Sequence, residues 1–393
     1  MTQHFDIANS EVSAATMSSF VCHGTNYQCL AEWPVVSKLQ WQKLTTGQGW
    51  PWHHQLAWFL ELAEFEQNQG VQSREQFSLL RIYKHQQLVA ILPLRGSIDG
   101  YSFAALTNYY SPEFAPLVLP GITKQQLWPL IFAAMSTLWP QWRQISLRPL
   151  SLETATVFTQ QSLPKLNVLS AIFGQNWRAT ASNQADYWQK RPSQLVNTLN
   201  RKRKKLQQLH AEIQIYQKLT PELLNAYWHI YQRSWKQPEP STAFIDWLLA
   251  HSSDQGQLRL GMIYIDKQPV AFQFWLVQQG QAAIVKLAQD QAFDSLSPGT
   301  VLMAAMIDEV MTTDGVTEID FLTGNDQYKA QWMDQCLPLL QLDIINCQHF
   351  PGRLLHAKLK IRTQLSQLKN KVLQRLCVGK VTATVARTGA AND

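Results

Sequence analysis

The sequence predicts a mixed α/β fold, with mixed sheets of the α+β kind, built from two related modules in tandem. Three observations predict it. Stretches with apolar residues at helical spacing alternate along the chain with short apolar runs of strand length. The segment Ile82-Tyr83, three residues, then Gln87-Leu88-Val89-Ala90 recurs 181 positions later as Ile263-Tyr264, three residues, then Gln268-Pro269-Val270-Ala271. Finally, 393 residues, 46% apolar and 16% charged, suffice for two cores at roughly 100–200 residues per domain and carry too little charge for a disordered chain.

In chain order, residues 1–35 have no sustained period and read as a loose leader. Leu56, Phe59, Leu60 and Ala63 recur at spacings of three and four, which predicts a helix over 52–65. Strands are expected at 77–83 and 88–94, across the polar turn Lys84-His85-Gln86-Gln87, then at 101–107 and 115–119. A helix over 123–138 and a strand at 144–147 follow. The second half opens near Arg191, with Pro192 at the start of a helix running to about Ala211. A strand at 212–217 precedes a helix capped by Thr220, ending near Trp235. Strands at 257–265, 270–277 and 282–288 lead to a helix beginning at Pro298. A strand at 318–322, a short helix at 327–333 and a strand at 339–345 complete the body. The 181-residue offset carries the helix at 123–138 to within several residues of the helix at 298–313. Two readings stay open for the repeat, a duplicated module or the general likeness of β-hairpins. A duplication gives modules over 36–180 and 181–350, then a basic amphipathic tail over 351–393.

Charge excludes one function class. From Arg353 onward there are nine Lys or Arg and one acidic residue, Asp393, leaving 25 basic against 27 acidic residues elsewhere. The net +6 therefore belongs to the tail, and a nucleic-acid footprint over the body is not expected. The five cysteines, Cys22, Cys29, Cys336, Cys347 and Cys377, are odd in number and contain no C-x2-C pair. Neither a disulfide framework nor a metal site is expected, and a reducing, cytoplasmic compartment is. No charged n-region precedes an apolar run near residue 1, so no signal peptide is expected. No apolar run approaches the ~18–20 residues of a membrane span. The 15 tryptophans can line clefts or fill large cores.

Four elements, in order, carry a resemblance. They are the basic helix Ser193-Gln194-Leu195 through Arg201-Lys202-Arg203-Lys204-Lys205-Leu206, the helix ending in Tyr231 and Ser234-Trp235, the opening Ser297-Pro298-Gly299-Thr300-Val301-Leu302, and Ile319-Asp320-Phe321-Leu322-Thr323-Gly324-Asn325-Asp326 with Tyr328-Lys329 and Trp332. In this order and spacing the second half resembles the CelD-type branch of the GNAT superfamily of acyltransferases. The tandem arrangement is similar to that of the Fem-type peptidyltransferases, which pair two GNAT-like modules. Trp58-Phe59 and Ser111-Pro112-Glu113-Phe114 carry this likeness into the first half.

A Pro-Gly turn into a helix leaves the first N–H groups without intrahelical partners, facing whatever approaches. With the helix dipole they suit a pyrophosphate, although an ordinary Pro-initiated helix start looks the same in sequence. The resemblance makes Leu287, Ala288, Pro298, Gly299 and Thr300 the expected binding residues for acetyl-CoA or another acyl-CoA. Where the family usually carries Q/R-x-x-G-x-G/A, this sequence has one glycine between Leu296 and Val301. Asp320 lies in an apolar strand, where a carboxylate is costly unless it is paired or serves chemistry. Acyl transfer needs a base for the acceptor proton and an acid for the leaving thiolate. The resemblance offers Tyr328 as the acid and Asp320 or Asp326 as the base. The other reading of Asp320 is a salt bridge. Trp235, Lys329 and Arg201 are expected to meet the acceptor, Lys329 through a phosphate. The run Arg201–Lys205 points nearly all round its helix, so it reads as a solvated face or as a contact to phosphate or aminoacyl-tRNA. His85, His210 and His229 are isolated, and no metal is expected.

The expected function is transfer of an acyl group from acyl-CoA to an amino or hydroxyl group of a sugar or cell-envelope polysaccharide precursor. The alternatives are a Fem-type aminoacyl transferase using aminoacyl-tRNA and a non-catalytic module of the same fold. In the tail, Leu354, Ile361, Leu365, Leu368, Val372 and Leu376 form an apolar stripe beside Lys358, Lys360, Arg362, Lys369, Lys371 and Arg375. Residues 353–377 thus suit an anionic lipid surface at the inner face of the membrane, or docking on the fold. No DNA partner is expected.

Overall fold

The computed structural model describes residues 17–33, 50–68, 75–159, 163, 165–324 and 327–361. The strands are β1 (Ser18–Cys22), β2 (Thr25–Glu32), β3 (Glu75–Lys84), β4 (Gln87–Ser97), β5 (Ser102–Ala105), β6 (Leu117–Val118), β7 (Gln144–Ser151), β8 (Leu166–Thr180), β9 (Glu212–Tyr216), β10 (Leu258–Ile265), β11 (Gln268–Gln278), β12 (Gln281–Gln289), β13 (Glu318–Thr323) and β14 (Gln335–Asn346). They form one mixed sheet in the order β1-β2-β3-β4-β5-β7-β14-β8-β13-β12-β11-β10-β9, with β6 on β4.

The repeated sequence segment is a repeated structure. The hairpins β3–β4 and β10–β11 both turn through two left-handed residues, His85 and Gln86 at φ 48° and 64°, Asp266 and Lys267 at φ 49° and 64°. Two left-handed central residues give a turn whose twist matches the strands. Both hairpins shift register at the same place, between Ile82 and Tyr83 and between Ile263 and Tyr264. Outward from the centre, β7∥β5–β4–β3–β2 mirrors β13∥β12–β11–β10–β9. The helix Lys124–Leu138 joins the parallel pair in one half and Pro298–Thr312 in the other. At the centre the halves exchange strands. β14, from the second half, pairs with β7, while β8, from the first, pairs with β13, and the two pair with each other. A boundary near residue 180 therefore divides the sequence but not the sheet.

Local chemistry sets the helix starts. Thr123 and Gln126 form a capping box, and Thr220 and Ser241 accept the N–H groups of Leu223 and Phe244. The last of these opens a helix, Thr242–Asp254, absent from the sequence expectation. With Pro221–Gln232 it packs into the core of the first half, where Phe244 stacks on Tyr110 with ring centres 4.5 Å apart. The opposite face of the second half has its own core around the 298–312 helix and the buried Trp275 and Trp332. Most tryptophans thus fill cores, while Trp52, Trp58 and Trp235 reach a cavity.

Two expectations are corrected. The leader is not loose throughout, because 18–32 form the edge hairpin β1–β2, which buries Tyr27, Cys29 and Leu30. The helix expected over 52–65 splits into a 3-10 turn, Trp52–His54, and the helix Leu56–Asn68. At the other end, residues 350–361 are helical with Phe350, Leu354 and Ile361 exposed. The remainder of the amphipathic tail lies outside the described residues. No helix among the described residues is long and apolar enough to cross a membrane.

Candidate active site

The site arises where two parallel strands part. β12 and β13 pair only over Gln281–Ala283 and Glu318–Asp320. On its other side β12 shifts register against β11, with Ile284 opposite Trp275 and Lys286 opposite Phe274. Val285 is the extra residue of a bulge, which bends the strand and re-aims its side chains. The gap between the diverging strands opens into a cavity of about 600 Å³. The second half supplies Ile284 through Gln289, Phe321 through Thr323, and the turn at Ser297, Gly299 and Thr300. The first half closes it with Trp52, Trp58, Tyr109, Tyr110 and Pro112.

Most of the residues singled out in the sequence meet here. Leu287, Ala288, Gly299, Thr300, Tyr328, Lys329 and Trp235 all line the cavity. Pro298 is buried at the start of its helix. Tyr328 stands edge-on to Phe321, with ring centres 6.2 Å apart. The Lys329 ammonium donates to the carbonyls of Phe321 and Thr323, each at 2.8 Å, and so ties the short helix Gln327–Trp332 to the end of β13. At the helix start, Ser297 is left-handed at φ 52°. The Gly299 N–H donates to Gln289 Oε1 at 2.9 Å, and Gln289 is held in turn by Asp294. The N–H groups of Thr300 and Val301 both reach the Ser297 carbonyl. The amides expected to face a pyrophosphate thus have partners within the chain.

Of the expected residues that the structure describes, Pro298, Asp320 and Arg201 are not among those that line the cavity. Asp320 pairs with Arg178 Nε at 3.0 Å and accepts hydrogen bonds from Asn176 Nδ2 at 3.1 Å and the Leu322 N–H at 2.7 Å. Its carboxylate is tied into the centre of the sheet, the salt-bridge reading of the sequence. Arg201 is exposed on the helix Ser193–Gln208, whose basic run does go round the axis, Lys202 reaching the Ser295 carbonyl and Arg203 pairing with Asp308. Asp326 lies outside the described residues.

The sequence reading missed a charged cluster. Lys286 lines the cavity with its side chain 12% exposed, and its Nζ lies 2.6 Å from Oε1 of Glu239, which is 1% exposed. Tyr231 donates to the same oxygen at 2.6 Å and Tyr110, from the first half, to Oε2 at 3.2 Å. Burial, then the Glu239 carboxylate, pushes the Tyr231 phenol up, and burial does the same for Tyr110. A lysine inside the apolar run Gln281–Gln289 was the available signal. Among the described residues that line the cavity, the charged ones are Lys236, Lys286 and Lys329, with no carboxylate. No group of three or more metal-ligating side chains converges among the described residues.

Residues 193–330 match the family model of an acetyltransferase (GNAT) domain. No curated protein matches the chain. FemX is a structural neighbour at 7% identity and TM-score 0.53, over 80% of this chain and 96% of that one. The C-terminal domain of a putative lysylphosphatidylglycerol synthetase from Agrobacterium fabrum aligns at 11% identity and TM-score 0.45, over 68% and 84% of the two chains. At such identities the FemX likeness speaks for fold alone. With the mirrored strand order, the strand-parting cavity and the matched segment, this is a mixed α/β chain of tandem GNAT-like architecture, whose residues 193–330 match the model of an acetyltransferase (GNAT) domain.

Proposed function

We propose that the protein is an acyltransferase that moves an acyl group from acetyl-CoA or another acyl-CoA to an amino or hydroxyl group of a sugar or cell-envelope polysaccharide precursor, as in the CelD-type branch. The observation that carries this reading is the cavity between the parted strands β12 and β13, inside the matched segment and bounded at one end by the start of the 298–312 helix. The bent β12 beyond Ala283, no longer paired with β13, supports an extended donor arm, and Leu287, Ala288, Gly299 and Thr300 flank its path. Aromatic walls from both halves, with Trp235 at the rim, suit a sugar ring. Tyr328, on the cavity wall, is the acid for the leaving thiolate in this reading. Titration with acetyl-CoA in a calorimeter tests the proposal; no heat and no protection against thermal unfolding at millimolar ligand sinks it.

One observation favours a second reading, Fem-type transfer from aminoacyl-tRNA. The Gly299 N–H is already taken by Gln289, so the helix start is less open to a pyrophosphate than a bare terminus. Stabilisation by charged tRNA and silence toward acetyl-CoA select this reading. Silence toward both selects a non-catalytic module. Under the leading reading the protein works in the cytoplasm, with residues 353–377 resting on anionic lipid where lipid-linked precursors are found.

A further inference from the structure

Lys286 stands at the inner end of the proposed donor path. An ammonium carries three N–H donors. The structure gives this one a single hydrogen-bond acceptor among the described residues, Glu239, with the ring centres of Tyr109 and Tyr110 5.4 and 5.5 Å away. Burying a cation and a carboxylate together rarely adds stability over apolar side chains of the same volume. Such a pair on a cavity wall, braced by two phenols, therefore points to chemistry. β12 runs from the bulge at Val285 toward the helix start at Pro298, with Leu287 and Ala288 between. A donor with its phosphates at the helix start and its arm along Leu287 and Ala288 brings its thioester to Lys286.

We propose that Lys286 is a catalytic residue of acyl transfer, its ammonium holding the acyl carbonyl oxygen as that oxygen becomes charged, and that Glu239, Tyr231 and Tyr110 position it. The inference rests on the acyl-CoA reading above. The acceptor nitrogen or oxygen attacks the carbonyl carbon and forms the new bond, and the carbonyl π pair moves onto oxygen, where Lys286 donates a hydrogen bond. The pair returns, the C–S bond breaks, and the thiolate takes a proton from the Tyr328 hydroxyl. The acceptor's proton leaves to solvent, and Tyr328 is reprotonated from solvent. Lys286 keeps its proton throughout. Because Tyr110 belongs to the first half, the site is incomplete without it.

The test measures thiol release from acetyl-CoA, with glucosamine and with water alone as acceptor, beside calorimetric binding of acetyl-CoA. Lys286→Met should lower kcat roughly 100- to 1,000-fold, the loss typical of removing one oxyanion donor, while acetyl-CoA affinity stays within about threefold. Lys286→Arg should recover part of the loss. Lys286→Met can unfold the protein by leaving Glu239 buried and unpaired, so the double variant Lys286→Met/Glu239→Gln is measured with it and should show the same kcat loss. A kcat within threefold of wild type in a folded variant overturns the proposal. So does a loss confined to the KM of glucosamine, which would make Lys286 an acceptor-binding residue. Wild-type protein that neither binds nor turns over acetyl-CoA sinks the acyl-CoA reading, and this proposal with it.

Discussion

Acid should loosen the wall of the cavity through His54, and the size of the effect follows from its burial. His54 ends the 3-10 turn that carries Trp52 into the cavity, it is 8% exposed, and its Nε2 has no hydrogen-bond partner among the described residues. Burial pushes its imidazole down to about 4, against an ordinary 6.5, partly opposed by a hydrogen bond to the Glu113 main chain. The unfolded chain therefore takes up this proton near pH 6.5, while the folded chain waits until about pH 4. The stability contributed by the neutral ring is complete above pH 6.5 and is lost as pH falls toward 4. At about 1.4 kcal/mol per pH unit between the two values, the loss at pH 5 relative to pH 8 is about 2 kcal/mol. His53 is pushed the same way, by burial first and then by His54 and Arg178. His54→Gln removes the titration and keeps a polar side chain. Urea unfolding of wild type and variant at half-unit steps from pH 8 to pH 5 should show the wild-type advantage shrinking by about 2 kcal/mol. Parallel curves across that range would refute the assignment, because titrating groups that do not face His54 act on both proteins alike.

Further outcomes follow from individual contacts. Gly299→Val should weaken acetyl-CoA binding in calorimetry by at least tenfold with little change in Tm, because the added Cβ meets the movable Gln289 amide at 2.9 Å rather than backbone. Tyr328→Phe should cut turnover by 10- to 100-fold while Tm holds; the reverse pattern would assign the ring to packing. Gly261→Ala should cost about 1–3 kcal/mol in urea unfolding, since its Cβ would collide with Met306 Sδ and lie 3.1 Å from Leu302 Cδ1 in the core. Co-sedimentation with anionic liposomes should disappear at high salt and on deletion of residues after Pro351; full-length protein left in the supernatant at low salt would place the apolar stripe on the fold.

The duplicated architecture was legible because each hairpin is a local event. A two-residue turn fixes its own register, so the copies of Ile-Tyr-x3-Gln carried the same turn and the same register shift into both halves. The start of the 298–312 helix was legible for the same reason, since Pro298 and Gly299 act within one turn of chain. What stayed hidden depends on distant partners. β8 reads as Leu-Asn-Val-Leu-Ser-Ala-Ile-Phe-Gly-Gln-Asn-Trp-Arg-Ala-Thr, with little alternation, because much of it is exposed and its order comes from pairing with β14 and β13. The hairpin β1–β2 escaped notice because its buried residues are few and its support is β3, far along the chain.

The same distinction explains which carboxylate was chosen. Asp320 stood out because it interrupts an apolar strand beside a recognisable motif, yet its partners Arg178 and Asn176 lie on β8, the strand the sequence did not disclose. Glu239 sits between Pro238 and Pro240 in a stretch without period, where an acidic residue reads as solvated loop. Its burial is produced by Tyr110, 129 residues earlier, and by Lys286, 47 residues later. No local pattern can report a charge whose environment is assembled by two halves of a chain meeting. Lys286 does leave a local trace, because a lysine inside an otherwise apolar strand stands out whatever its partner. Both charges draw on distant chain: Asp320 of the second half is held by Arg178 and Asn176 of the first, and Lys286 pairs with Glu239 of its own half, whose other carboxylate oxygen accepts from Tyr110 of the first.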